Sequence, residues 1–438
     1  MAKKKNVSKA PREMTHRALS HHKRAIRRQR IILFGGIGVI VAVVAIIVSG
    51  WFTGYYMPLH KTVLQVYNTK FSTGYFIDTM VLSLRSAAAS SNGSAVDTSQ
   101  VTSSVINEIQ QNELEKQAAA KVSVTVADNE TLALLKNYGL PVNASSKDLA
   151  YATLLPDKMK SDYFAKIIPV SDNQVYLKAI MVEDANTAET VREGLLAGDN
   201  ITSLVDQYGQ GYFTQSYKGD FGYHNAAYFT TEQIPTVPVA WAFSDNGTKG
   251  AISPPLADTA SYKQKGYWVI RVNDRPTPVT ANVTAILVGS QAEAVSLKSL
   301  LETSDNISGL SDQYSQYTDT KNNHGELGIV TAADNVSNEL FAYVTNPDIP
   351  LGQWSDPVQD KTNWTQGGSW IVQVADRQDN TKISDDDRKT LIDRAYTTWA
   401  GGLMGEAAKD VYNNFTDKLK AWAVERASKQ AGIVTSTG

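Results

Sequence analysis

The chain has 438 residues and is 42% hydrophobic, which is enough to bury the cores of two or three domains and argues against a disordered chain. It contains no cysteine, which excludes disulfide bonds and lipid-modified cysteine anchors. Its net charge of −2 hides an asymmetry. Residues 1–30 hold eleven of the 42 Lys and Arg residues and one of the 44 acidic residues, so this tail carries +10 and the remainder −12.

An uncharged apolar segment follows the basic tail. Residues 31–52 carry no charge over 22 positions, about the length that a helix needs to cross a bilayer. The basic flank predicts a transmembrane helix over 31–53, with residues 1–30 in the cytoplasm and everything after about Tyr55 outside. A cleaved signal peptide is the alternative, but its apolar core would span about 7–15 residues and end at an A-x-A-like site, which SGWFTGYYMP lacks.

The basic tail could instead bind nucleic acid or anionic lipid, although a topology signal needs no such partner. We favour the topology signal and expect no nucleic-acid partner. The spacing of its histidines is typical of no compact metal site, and we expect neither a metal nor a cofactor; these residues are His16, His21 and His22.

Residues 57–170 are predicted to form a mainly helical region. Two segments with helical apolar spacing, FSTGYFIDTMVLSLRSAAA and SSVINEIQQNELEKQAAAKVSV, are separated by the Ser, Gly and Asn-rich loop 90–100. A further helix is predicted in TVADNETLALLKNYGL, with Asp128 as its cap and Gly139 as its stop.

The most informative pattern is an internal repeat. Residues 180–222 align without a gap to residues 286–328 at an offset of 106, so that the turn GDFG matches GELG. The offset then falls to 102, where GYWVIRVNDR matches GSWIVQVADR. We therefore predict two copies of one domain, at residues 177–276 and 282–378.

Each copy contains an apolar first strand, two amphipathic helices, a turn, a short helix and a closing strand rich in β-branched and aromatic residues. This order predicts an α+β fold in which helices cover a small antiparallel sheet. Residues 384–430 are predicted to be helical again and to pack with the N-terminal helical region. The acidic run Asp385 to Asp387 suits a helix start, although it could also bind a cation.

The repeats resemble parvulin-type (PpiC-like) peptidyl-prolyl isomerases. The resemblance rests on IMV, AETVREGLLAG, ITSLVDQY, GDFG, ISPPL and GYWVIRV in the first copy, and on ILV, AVSLKSLL, ISGLSDQY, GELG, WSDPV and GSWIVQV in the second. Helical segments on both sides of two such domains are similar to SurA-type and foldase-type extracytoplasmic chaperones. The resemblance extends over roughly residues 57–425.

The resemblance implies two inward-facing histidines in each domain, which would help to stabilise the twisted X-Pro amide. The corresponding positions hold no histidine in this chain; they are Ala179, Trp268, Ala285 and Trp370. We therefore expect weak isomerase activity or none. The histidines beyond the tail lie at positions that are not equivalent, and His224 and His324 are interpreted as exposed turn residues.

The resemblance also implies an apolar pocket for proline. The residues at its positions, which we predict to bind substrate, are Phe221, Phe229, Trp268, Leu327 and Trp370. The alternative is that the tryptophans fill the space left by alanine in place of the opposite histidine, which keeps the core volume roughly constant.

Two functions remain open from the sequence. The first is a single-pass, membrane-anchored foldase or chaperone that binds unfolded or proline-containing polypeptides outside the cytoplasm. The second is a non-catalytic envelope scaffold whose repeats bind a specific partner. The oligomeric state is not predicted.

Overall fold

The computed structural model describes residues 33, 36–90, 96–304, 306–334 and 336–433. The predicted cytoplasmic tail 1–30, and part of the predicted transmembrane segment, lie outside the described residues. The chain divides into two compact units, one of Met1–Tyr163 with Thr397–Gly438 and one of Phe164–Tyr396. The predicted α+β class is confirmed, because helices accompany three small antiparallel sheets.

The N-terminal elements include a helix that runs from Gly36 through the rest of the apolar segment to His60. It has a π-helical stretch at Phe52–Tyr56. In chain order the elements are α1 (Gly36–His60), β1 (Thr62–Val66), β2 (Thr69–Ser72), α2 (Thr73–Ser90), α3 (Thr98–Lys121), α4 (Asp128–Asn137), α5 (Ala144–Met159) and α6 (Ala165–Ile167).

The next elements belong to the first repeat. They are β3 (Ser171–Val182), α7 (Ala185–Ala197), α8 (Ile201–Tyr208), α9 (Tyr212–Tyr217), β4 (Asp220–Asn225), α10 (Ala226–Thr231), α11 (Thr236–Phe243), β5 (Leu256–Lys263) and β6 (Gly266–Thr277).

The second repeat and the C-terminal region follow. Their elements are β7 (Thr280–Val288), α12 (Gln291–Thr303), α13 (Ile307–Tyr314), α14 (Thr318–Asn322), β8 (Glu326–Val330), α15 (Asn338–Thr345), β9 (Val358–Asp360), β10 (Thr365–Lys382), α16 (Asp385–Glu406), β11 (Val411–Asn413) and α17 (Asp417–Ala431).

The helix α1 is the one helix among the described residues that is long and apolar enough to cross a membrane. Its side chains are exposed along the whole apolar stretch, as expected of a helix that does not belong to a protein core. This finding rests on length and composition.

The first unit is built around a three-stranded sheet, sheet A, in the order β11-β1-β2. Helices α2, α3 and α17 supply the other side of its core, so that Phe76, Ile109 and Ala423 are buried in one cluster with Leu64 of the central strand. One core therefore takes residues from both ends of the chain. The helix α4 ends where Gly139 adopts a left-handed φ of +63°, as predicted, whereas Asp128 is its first residue and not its cap.

The second unit contains two four-stranded antiparallel sheets with matching layouts. Sheet B has the order β4-β3-β10-β5 and sheet C the order β8-β7-β6-β9. From the sequence, each repeat is expected to close its own sheet. Instead, the closing strand of each repeat lies in the sheet of the other, since β10 pairs with β3 and β6 pairs with β7.

The short connection between β6 and β7 explains this exchange. Only two residues separate the strands, and a two-residue loop joins antiparallel neighbours in a hairpin. Since β7 is the first strand of the second repeat, β6 takes the place beside it that β10 would otherwise fill. The strand β10 then takes the vacant place beside β3, and strand pairing crosses the predicted boundary between residues 276 and 282.

Candidate functional site

The four positions that correspond to the family's histidines come together in pairs, but each pair joins both repeats. In sheet B, Ala179 on β3 and Trp370 on the adjacent β10 lie in one buried core. In sheet C, Ala285 on β7 and Trp268 on β6 are the equivalent pair. Because of the exchange of closing strands, each pair takes one residue from each repeat.

Each of these tryptophans donates a hydrogen bond to a buried carboxylate. In sheet B the indole Nε1 of Trp370 donates to Asp258 Oδ2 at 2.8 Å. The same carboxylate accepts from the Ser261 hydroxyl at 2.7 Å and from the backbone N–H groups of Ala260 and Ser261 at 2.8 and 2.9 Å. A carboxylate with four donors is well compensated for its burial.

Sheet C contains the matching arrangement. Trp268 Nε1 donates to Asp360 Oδ2, and Ser337 Oγ lies 3.2 Å from the same nitrogen. The backbone N–H groups of Thr362 and Asn363 donate to Asp360 Oδ1 at 2.7 and 2.8 Å. The two aspartates stand 102 positions apart, at the repeat offset.

The hydrogen bonds decide the ionisation of both aspartates. Burial by itself would raise the pKa of Asp258, but donation from Ser261, Trp370 and Ala260 outweighs burial and lowers that pKa. Asp360 has a lowered pKa for the same reason, with Ser337, Asn363 and Thr362 as donors. Each indole is thus committed to a carboxylate and presents no free polar group.

The residues predicted to bind substrate are placed mainly in the two cores. Phe221 and Phe229 are buried in the core of sheet B together with Trp370. Trp268 is buried in the core of sheet C, and Leu327 packs against it, partly buried. Their contact with a peptide stays a prediction, and the exposed surface beside them comes from other residues.

That surface is a groove of about 240 Å³ at one end of sheet B, which we call the aromatic groove. Met181 and Trp370 are among its lining residues. Three of the others have highly exposed side chains, with exposed fractions of 69% for Tyr212, 57% for Tyr262 and 53% for Trp364. Among the described residues that line the groove, none is charged.

Gly211 keeps the aromatic groove open. Its φ is +76°, and an added Cβ would lie 3.2 Å from Met181 Sδ and 3.3 Å from the Tyr262 carbonyl oxygen. The equivalent residue of the second repeat, 106 positions later, is Tyr317, whose ring packs edge-on against Trp268 at a centroid distance of 5.2 Å. The side chain of Tyr317 thus occupies the space beside the tryptophan of sheet C, whereas glycine leaves it open in sheet B.

The exposed aromatic residues of the groove were not predicted from the sequence. Tyr262 and Trp364 lie 102 positions apart and so occupy equivalent places in the two repeats; Tyr262 is near the end of β5, and Trp364 is in the loop between β9 and β10. The exchange of strands brings both to one groove. One signal in the sequence could have indicated the groove: Gly211 aligns with Tyr317 in a stretch where the two repeats otherwise match.

The interpretation of His224 as an exposed turn residue is wrong. It lies on β4, its Nδ1 is 2.6 Å from Asp387 Oδ2, and its ring stacks on Tyr228 at 3.9 Å. His324 is exposed and lies 2.9 Å from Asp312. Within the part of the chain that the structure describes, no cluster of three His, Asp or Glu residues could hold a metal ion.

Comparisons with known proteins give distant structural matches. No family model matches the sequence, and no curated protein matches it. A peptidyl-prolyl isomerase (PrsA) from Bacillus anthracis is 14% identical, with 75% of this chain and 98% of that chain covered and a TM-score of 0.15. PrsA from Bacillus subtilis is also 14% identical, with 76% and 84% covered and a TM-score of 0.16.

The foldase protein PrsA from Streptococcus pneumoniae is 11% identical, with 83% of this chain and 86% of that chain covered and a TM-score of 0.15. Identities and TM-scores this low carry no argument about fold or function.

Proposed function

We propose that this protein is a membrane-anchored foldase or chaperone that binds unfolded, exported polypeptides in the aromatic groove. The observation that carries the proposal is the groove itself: three exposed aromatic side chains around an uncharged recess. Large exposed aromatic residues in water are typical of interaction sites, since they bury much apolar area with few rotatable bonds.

The shape of the groove favours a chain segment over a small molecule. Its volume of about 240 Å³ is below the ~300–1,000 Å³ of typical small-molecule pockets. A recess of this size suits one or two side chains of an extended polypeptide. The lack of charge in the lining makes it tolerant of sequence and selective for apolar residues, proline included.

The proposed location follows from the N-terminal segment. Because the apolar helix is preceded by a tail of charge +10, we propose a single membrane span with the tail in the cytoplasm and the residues that follow α1 outside. An anchored binder outside the membrane would meet polypeptides as they emerge from export.

Isomerase activity is not part of the proposal. Catalysis of X-Pro rotation needs polar groups around the twisted amide. In both sheets, the positions that hold histidine in parvulin-type isomerases are occupied by an alanine and by a tryptophan whose indole N–H already donates to a carboxylate. We therefore propose binding without efficient catalysis.

The test uses the full chain in nanodiscs and an unrelated, chemically unfolded protein that aggregates on dilution. We expect the wild-type chain to suppress aggregation. The variant Tyr212→Ser/Tyr262→Ser/Trp364→Ser should lose most of this effect, because removal of each interface anchor weakens binding by more than about 1 kcal/mol, or roughly five-fold.

The matched control changes three exposed residues outside the groove: Tyr138→Ser/Val279→Ser/Ile329→Ser, whose wild-type exposed fractions are 73%, 63% and 51%. The control should suppress aggregation like the wild type. Equal suppression by both triple variants would refute the groove as the binding site. No suppression by the wild type would favour the envelope scaffold.

A further inference from the structure

A crevice separate from the aromatic groove lies in the first unit, between the end of α1 and the start of α17. Its volume is about 840 Å³. Tyr56 and Met57 line it on the α1 side, and Leu419 and Trp422 line it on the α17 side. These apolar side chains could hold hydrocarbon that enters from the direction of the apolar helix.

The two sides of the crevice are fixed to each other. The Arg426 guanidinium on α17 donates to the Tyr55 hydroxyl at 2.6 Å and stacks on its ring at 4.3 Å. At the end of α1, the Lys61 carbonyl accepts from the backbone N–H of Thr73 at 2.9 Å and from its hydroxyl at 3.1 Å. These contacts therefore hold α1 directly against α17 and the start of α2.

This junction places the crevice at the level of lipid headgroups. The predicted transmembrane span ends at residue 53. With a rise of 1.5 Å per residue, the lining residues 53–61 lie within about 12 Å of that point. Trp51 and Tyr55 are then at the depth where aromatic residues anchor spans.

The charges of the lining select for an anion. Lys61 and Lys418, one on each side, line the crevice, and among the described lining residues there is no carboxylate. The neighbouring Asp417 is fully exposed, and its closest ion-pair partner is Lys420, at 4.0 Å. An apolar crevice with ammonium groups, at headgroup depth, matches a phospholipid with a negatively charged headgroup.

We propose that this crevice binds one anionic phospholipid of the surrounding bilayer. The phosphate lies between Lys61 and Lys418, and the upper acyl carbons lie against Met57, Leu419 and Trp422. The inference rests on the membrane anchoring proposed above and adds to it a specific lipid partner for the base of the folded unit.

The experiment is native mass spectrometry of the full chain released from nanodiscs of phosphatidylcholine and phosphatidylglycerol in equal parts. The wild type should retain phosphatidylglycerol in clear excess over phosphatidylcholine. Lys61→Gln/Lys418→Gln should retain both lipids equally. The matched control Lys429→Gln removes a charge from the same helix outside the crevice, on a lysine paired with Glu425, and should behave as the wild type.

Three outcomes overturn the inference: no lipid preference in the wild type, an unchanged preference in the double variant, or displacement of the lipid by inorganic phosphate alone. Alkaline extraction of the full chain from vesicles of the same lipid composition separates this failure from failure of the anchoring. If the chain stays in the membrane but shows no preference, the lipid site alone is refuted. If the chain is extracted, the anchoring and the lipid site fail together.

Discussion

The exchange of closing strands can be tested by engineered disulfides, because the chain has no cysteine of its own. Ala179 on β3 and Val372 on β10 are register partners. The backbone N–H of Ala179 donates to Gly219, while Val372 hydrogen-bonds to Ser253, so the two residues form a non-hydrogen-bonded antiparallel pair. Such pairs have a Cα separation of about 4.5 Å, within the range that a disulfide spans.

We predict that Ala179→Cys/Val372→Cys forms an intramolecular disulfide on mild oxidation. The bond would close a loop of roughly 190 residues and, by the chain-entropy relation, add up to about 5 kcal/mol to the free energy of unfolding. Loss of two methyl groups at the buried Val372 would reduce this by about 1 kcal/mol. The assay is electrophoretic mobility with and without reductant, followed by chemical denaturation.

The control is Ala179→Cys/Ile270→Cys. Ile270 stands 102 positions before Val372 and would face Ala179 if each repeat closed its own sheet, whereas the structure pairs it with Ala285 in sheet C. This variant should not form a disulfide. The exchange would be refuted if the control formed a disulfide rapidly while Ala179→Cys/Val372→Cys stayed reduced.

Four further predictions concern the groove and its support. Asp258→Asn should lower the free energy of unfolding by about 1.5–3 kcal/mol through loss of charge-assisted hydrogen bonds, while exposed Asp245→Asn should change it little; equal effects would contradict the role of the carboxylate. Because the folded-state pKa of Asp258 is lowered, the stability that its carboxylate contributes is fully present above about pH 4 and is lost as the pH falls through the folded-state pKa. The free energy of unfolding of Asp258→Asn should therefore fall less steeply with acidification than that of the wild type. Gly211→Ala and Gly352→Ala both place alanine at positive φ, and each should lower the free energy of unfolding by about 1 kcal/mol. Only the Cβ at position 211 meets neighbouring atoms, so only Gly211→Ala should weaken polypeptide binding. Weaker binding by both variants would point to instability instead. The wild-type chain should not accelerate X-Pro isomerisation in a short peptide, since the indole of Trp370 is committed, and clear acceleration would show that another group supplies the chemistry.

The α+β class and the apolar N-terminal helix could be read from the sequence because both depend on local patterns. Strands such as YWVIRV and helices such as AETVREGLLA carry their periodicity with them. The left-handed residue at the end of α4 was likewise visible, because glycine after a helical run is a local signal.

Strand pairing was harder to predict because the two closing strands are alike. GYWVIRV and GSWIVQV could each fit either sheet, so composition does not choose between them. The deciding feature is the two-residue connection between β6 and β7, which lies at the predicted boundary between the two repeats. Two strand-like runs with so short a connection can pair only as antiparallel neighbours, because parallel strands need a crossover of a dozen or more residues, and this signal could have predicted the exchange.

The candidate site was only partly predictable for the same reason. The sequence marked Trp268 and Trp370 as unusual, but their aspartate partners lie about 90–110 positions away and become neighbours only through the exchange. The same holds for Tyr262 and Trp364, which meet at one groove because β10 belongs to sheet B.

The most direct test of polypeptide binding is site-specific photo-crosslinking with the full chain in nanodiscs. A photoreactive phenylalanine analogue is placed at Tyr262 in one sample and at Val279, exposed on the β6–β7 turn, in another. With an unfolded polypeptide present, we predict strong crosslinks from position 262 and few from position 279. Equal yields at the two positions, or none at 262, would contradict binding in the aromatic groove.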